Sequence, residues 1–147
     1  MNPPTLAGFI AFIQNVMGIS SIYLPTTSPV IQMALTIALD IVNVQLQTAS
    51  PDIYTLAVYN LAGDNLINFA PDQAGQTYFQ DLRTSFHISD FVAGVVQSSG
   101  DEGTSTSLTV PEALSHLTLS DLQNLKTPYG RQYLAFAQRY GQLWGLT

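Results

Sequence analysis

Three Ser/Thr-Pro dipeptides constrain the fold more than any other feature: Ser28-Pro29, Ser50-Pro51 and Thr127-Pro128. A hydroxyl ahead of a helix can accept from an orphan backbone N–H, and proline at the first helical position has its φ already set. Each pair therefore marks a helix start. Thr5 adds a fourth, opening a helix over 6–17 that Gly18 can end, with Phe9, Ile10, Ile13, Val16 and Met17 at helical spacing. The helix from Pro29 is expected to run to about Gln47. Val30, Met33, Leu35, Ile37, Ile41, Val44 and Leu46 are spread widely around it, which predicts a central helix. Ser50-Pro51-Asp52 opens the next, with Asp52 placed well against the helix dipole. Ala57, Ala62 and Gly63 on it are small enough for close helix approach, and Ala70-Pro71-Asp72 ends it. A linker over 73–76 leads to a short amphipathic helix over 77–85.

The pattern then changes. Residues 91–96 and 104–110 are rich in β-branched side chains, and Ser98-Ser99-Gly100-Asp101-Glu102-Gly103 between them is turn chemistry. This predicts a projecting β-hairpin over about 91–110. Its candidate contacts to a neighbouring subunit or ring are Val95, Val96, Ser98, Asp101, Thr106 and Leu108. A two-stranded hairpin is marginal alone in water, so a partner is expected to cover it. Ser120 caps a helical turn over 120–125, and the terminal helix follows from Pro128. The expected architecture is mainly α: a helical bundle over 1–126 with one hairpin, and an extended or helical C-terminal segment over 127–147.

Only 10% of the 147 residues are charged, against about 25% in ordinary soluble domains. A surface with so few charges is poorly protected against association, which favours coverage by neighbouring subunits. The net charge of −6 argues against phosphate binding, which needs clustered Lys and Arg. There is no cysteine, so disulfides and Cys-ligated zinc are excluded. Residues 1–39 carry no charge, but polar residues such as Gln14, Asn15, Gln32 and Asn43 interrupt both apolar runs. Neither run reaches the ~20 apolar residues of a span, and no positive n-region of a signal peptide is present. Neither membrane insertion nor secretion is expected.

Three of the four cations, Lys126, Arg131 and Arg139, lie near the C-terminus among aromatic residues; the fourth is Arg83. Tyr, Trp and Arg are enriched at the energetic centres of interfaces. Tyr129, Arg131, Tyr133, Phe136, Arg139, Tyr140 and Trp144 are thus read as a docking surface. Gly130 and Gly141 disfavour a free-standing helix and suit a segment that orders on binding. On this reading, truncation after Lys126 leaves the body folded and abolishes docking. Catalytic signals are weak. His87, Ser89 and Asp90 are the residue types of a nucleophilic triad, but their sequence spacing seldom aligns such groups, and no Gly-x-Ser-x-Gly elbow exists. Asp72, Asp90, Asp101 and Glu102 form no calcium-loop pattern, and the glycines form no phosphate loop. No enzyme activity, metal or cofactor is expected.

Three segments together resemble the head–tail connector (neck or adaptor) proteins of tailed bacteriophages. Residues 57–66, Ala57-Val58-Tyr59-Asn60-Leu61-Ala62-Gly63-Asp64-Asn65-Leu66, resemble the family's Ala-x-Tyr-Leu-x-Ala-His segment, departing from it at Gly63 and Asp64. Val95-Val96-Gln97-Ser98-Ser99-Gly100-Asp101 resembles its hairpin start, and Leu125-Lys126-Thr127-Pro128-Tyr129-Gly130-Arg131-Gln132-Tyr133 its Thr-x-Tyr-Gly-x-x-Tyr/Phe ending. The resemblance spans about residues 30–140. It implies a virion structural protein: a helical subunit of a homo-oligomeric ring, commonly a dodecamer, beneath the portal protein. The ring would extend a channel through which DNA passes without sequence-specific contact, and would present a surface to the next neck or tail protein. It also implies location in the virion neck, and in the host cytoplasm during assembly. A head-closure, tail-terminator or capsid-decoration protein is the nearest alternative, and a small soluble hydrolase the alternative of another class.

Overall fold

The structure, a computed structural model, describes residues 3–88, 98–101, 104–107 and 124–144, with 98–101, 104–107 and 141–144 described by backbone alone. Helix α1 is Leu6–Asn15, α2 Pro29–Ile41, α3 Leu46–Ala49, α4 Pro51–Phe69, α5 Tyr78–Ser85 and α6 Pro128–Trp144. The protein is mainly helical, as the cap signals predict. Thr5 Oγ1 accepts from the Gly8 N–H at 3.0 Å, and Ser50 Oγ from the Ile53 N–H at 3.4 Å. Gly18 leaves α1 at φ +69°, a left-handed conformation that favours glycine. Ser28 makes no side-chain cap bond, so α2 starts on its proline alone.

The helix from Pro29 ends early. Val42 turns to extended backbone (ψ 125°), and Asn43 Oδ1 then accepts from the Gln45 N–H at 2.9 Å. Asn side chains compete with the helix ladder in this way and favour turns. The chain breaks there and resumes as the single turn α3. This α2 is not central. Ile31, Ala34, Leu35 and Ala38 are buried on one face, while Met33, Ile37, Leu39 and Ile41 are exposed.

The central element is α4. Twelve of its nineteen residues are buried, on all sides, and α2 and α6 pack along it with α1, α3 and α5. Gly63 leaves room for Met17, just past α1: a Cβ there would lie 3.1 Å from Met17 Sδ. Phe9, Phe12 and Tyr59 fill the α1–α4 seam, with Tyr59 ring centroids 5.8 and 5.7 Å from the two phenylalanines. Tyr59 also ties the start of α1 to α4. Its hydroxyl accepts from the Thr5 N–H at 3.1 Å and donates to the Thr5 carbonyl at 3.4 Å.

Beyond α5 the described residues include two short strands, β1 Ser98–Asp101 and β2 Thr104–Ser107, paired antiparallel with Asp101 opposite Thr104. Ser98–Asp101, read from sequence as turn, is itself strand, and the chain reverses between Asp101 and Thr104. Val95, Val96 and Leu108 lie outside the described residues, and no contact places the pair as a projection.

The terminal segment is helical and packs on its own chain. Tyr133 and Leu134 are 7% and 6% exposed, with Tyr129, Phe136, Ala137 and Tyr140 partly buried against the same core. The division at 126/127 therefore falls inside one packed body.

Candidate interaction surface

Besides its apolar packing, the terminal helix is tied at its start to one buried aspartate. Asp64 lies mid-way along α4 and is 1% exposed. Thr127, the residue before α6, donates from its hydroxyl to Asp64 Oδ1 at 2.5 Å and accepts from the Gly130 N–H at 3.0 Å. One hydroxyl thus caps α6 and pins it to α4. Gly130 is required at this contact: a Cβ there would collide with the Asn124 carbonyl and lie 2.8 Å from Asp64 Oδ1. Burial raises the Asp64 carboxyl to about 6, with the Thr127 bond acting in the opposite direction. The Thr-x-Tyr-Gly pattern is accounted for here as a packing node.

The residues expected to dock divide accordingly. Tyr133 is buried in the core, so its side chain is not a docking group in this fold. Tyr129 is partly buried, its ring edge-on to Phe12 at 6.3 Å between centroids. Phe136 and Tyr140 are also partly buried. Arg131 and Arg139 are exposed, and Trp144 belongs to α6 by its backbone. The other cations serve the fold. Lys126 Nζ donates to the Ile88 carbonyl at 3.1 Å, and the Arg83 guanidinium donates to the Ile67 and Ala70 carbonyls at the end of α4. The free C-terminal carbonyls of a helix are common partners for such side chains.

Two exposed surfaces stand out. The first is a ridge on α2: Met33, Ile37 and Ile41 follow one another at i, i+4 and i+8, at 46%, 36% and 53% exposure. Val44, at 57%, lies just beyond the helix end. Asp40, the first charged residue in the chain, is also exposed and follows Ile37 by three residues. The second is an open, mainly apolar groove of about 890 Å³ between α1 and α6, floored by α4. Ala7, Ala11 and Val16 form one side, Gln132 and Phe136 the other, and Leu56 part of the floor. No charged side chain lines it. Apolar surface left exposed in continuous patches marks interaction sites in soluble proteins. The charge-free opening of the chain, weighed above only against a membrane span, carries Met33 and Ile37 of the ridge and the α1 side of the groove. The shortened α2, which turns the ridge outward, was not visible.

No catalytic constellation is assembled among the described residues. His87 is exposed at φ 55°, and Ser89 and Asp90 lie outside them. Asp72 is a helix cap: Oδ1 accepts from the Phe79 N–H at 2.6 Å and Oδ2 from the Gln80 N–H at 3.1 Å. The described residues hold no group of three metal-ligating side chains, and none of their helices is long and apolar enough to cross a membrane. No family model, curated protein or solved structure matches the chain.

Proposed function

We propose that this chain is a non-enzymatic assembly subunit: a head-to-tail connector of a tailed bacteriophage, forming a ring beneath the portal. The observation that carries an assembly role is the uncharged apolar ridge of α2, exposed in a chain where only 10% of residues are charged. Such a surface is stable in solution when another copy or another protein covers it. The connector assignment rests on the resemblance of 57–66, 95–101 and 125–133 to that family.

The mechanism on this reading is geometric. The ring continues the portal's DNA channel and passes a binding surface to the next neck or tail protein. A chain of net charge −6 gives DNA little to hold, so the duplex moves through the lumen without specific contact. The exposed side of α6, with Arg131 foremost, meets an acidic portal surface. The strand pair Ser98–Asp101 and Thr104–Ser107 offers a contact to a neighbouring subunit or the next ring. The protein resides in the virion neck, having assembled in the host cytoplasm. Gel filtration of the chain with and without its cognate portal protein tests this. Co-elution supports the connector role, and separate elution at micromolar concentration removes it.

A further inference from the structure

The two exposed apolar surfaces match each other. On α2, Met33, Ile37 and Asp40 stand at i, i+4 and i+7; on α6, Gln132, Phe136 and Arg139 stand at the same spacing. At 100° per residue each set forms one stripe along its helix. Each stripe ends in one exposed charge, acidic on α2 and basic on α6. Neither Asp40 nor Arg139 makes an ion pair among the described residues. The α2 stripe is convex, while Gln132 and Phe136 line the concave groove against α1. Ala7 and Ala11 on the far side leave room for a bulky side chain to enter.

We propose that the Met33–Ile37–Ile41 ridge of one copy seats in the α1/α6 groove of a second copy, with Asp40 meeting Arg139 of that copy. Ridge and groove are different surfaces of one chain. The contact is therefore head-to-tail, and repeats into a ring when its rotation closes. Burial of the ridge supplies the association, and the charge pair sets the register and opposes the reversed arrangement. Arg131, one residue and about 100° away from Gln132, stays outside the contact and free for another partner. This deepens the connector reading by naming the subunit contact, and rests on that reading only for its self-association.

Sedimentation velocity of the full chain at low ionic strength, up to about 1 mM, tests it. Wild type is expected to self-associate. D40R and R139D, both at exposed positions, should keep native far-UV circular dichroism and each weaken association about tenfold or more. An equimolar mixture of the two should regain wild-type association, because every junction in an alternating assembly then joins opposite charges. Ile37→Glu should abolish association of the variant alone, and in mixture with wild type should end assemblies early, because its groove still accepts a wild-type ridge. A wild-type monomer throughout the series overturns the proposal. So do unaffected single variants, or a mixture that does not recover. The portal experiment fails separately: association that follows this charge logic without portal binding keeps the interface and removes the connector role, and portal-bound rings indifferent to both reversals do the opposite.

Discussion

Replacing Asp64 with Asn should change how stability depends on pH more than replacing any other carboxylate among the described residues. In the folded chain burial raises the Asp64 carboxyl from 3.8 to about 6. The folded state therefore binds more protons than the unfolded state between these values, and stability falls as pH rises through that window. The full advantage is present below about pH 4, where both states are protonated, and is lost above about pH 6. At 1.36 kcal/mol per pKa unit, the loss is about 3 kcal/mol. Asp64→Asn keeps the shape of the side chain, and its amide oxygen can still accept from Thr127, but it does not ionise. The other carboxylates titrate alike in both proteins and cancel in the difference. Urea denaturation followed by far-UV circular dichroism at pH 4, 5, 6 and 7 measures it. The stability of D64N relative to wild type should rise by up to about 3 kcal/mol between pH 4 and 7. A difference that stays constant across that range, or falls, refutes the burial argument.

Gly130→Ala, which in an exposed helix interior stabilises by about 1 kcal/mol, should here destabilise by about 2 kcal/mol or more, because the added methyl meets Asn124 and Asp64; a raised urea midpoint would contradict the packing node. Truncation after Lys126 removes Thr127, Tyr133 and Leu134 from the core. At about 1.5–3 kcal/mol per buried apolar side chain, plus an uncapped Asp64, the loss approaches a typical total stability of about 5–15 kcal/mol. The truncated chain should lose its cooperative thermal transition, and a native-like melt would show that 1–126 folds alone.

The helix starts were legible because capping is local: Thr5, Ser50 and Thr127 each bond within three residues of themselves. The end of α4 at Phe69 was legible from Pro71, which cannot continue a helix, whereas α5 starts near Thr77 as expected but is capped by Asp72, a role the sequence did not announce. What depends on distant partners was not. The Asp64–Thr127 bond joins residues 63 apart in sequence, and nothing near Asp64 announces it. The even spread of apolar residues along 29–47 pointed to a central helix. The turn at Asn43 instead splits that segment, and α4, with its buried Thr55, Asn60 and Asp64, takes the centre. Tyr133 has the residue type of an interface anchor, but type alone does not distinguish a partner's surface from the protein's own core. The low charge and the exposed apolar residues agree more closely, since both describe a surface suited to being covered.

The most direct test of the connector role is negative-stain imaging of the purified protein, alone and with its cognate portal protein. The account predicts a ring of this subunit stacked coaxially on the portal. Portal particles identical with and without the protein, under conditions where both are folded, would contradict it.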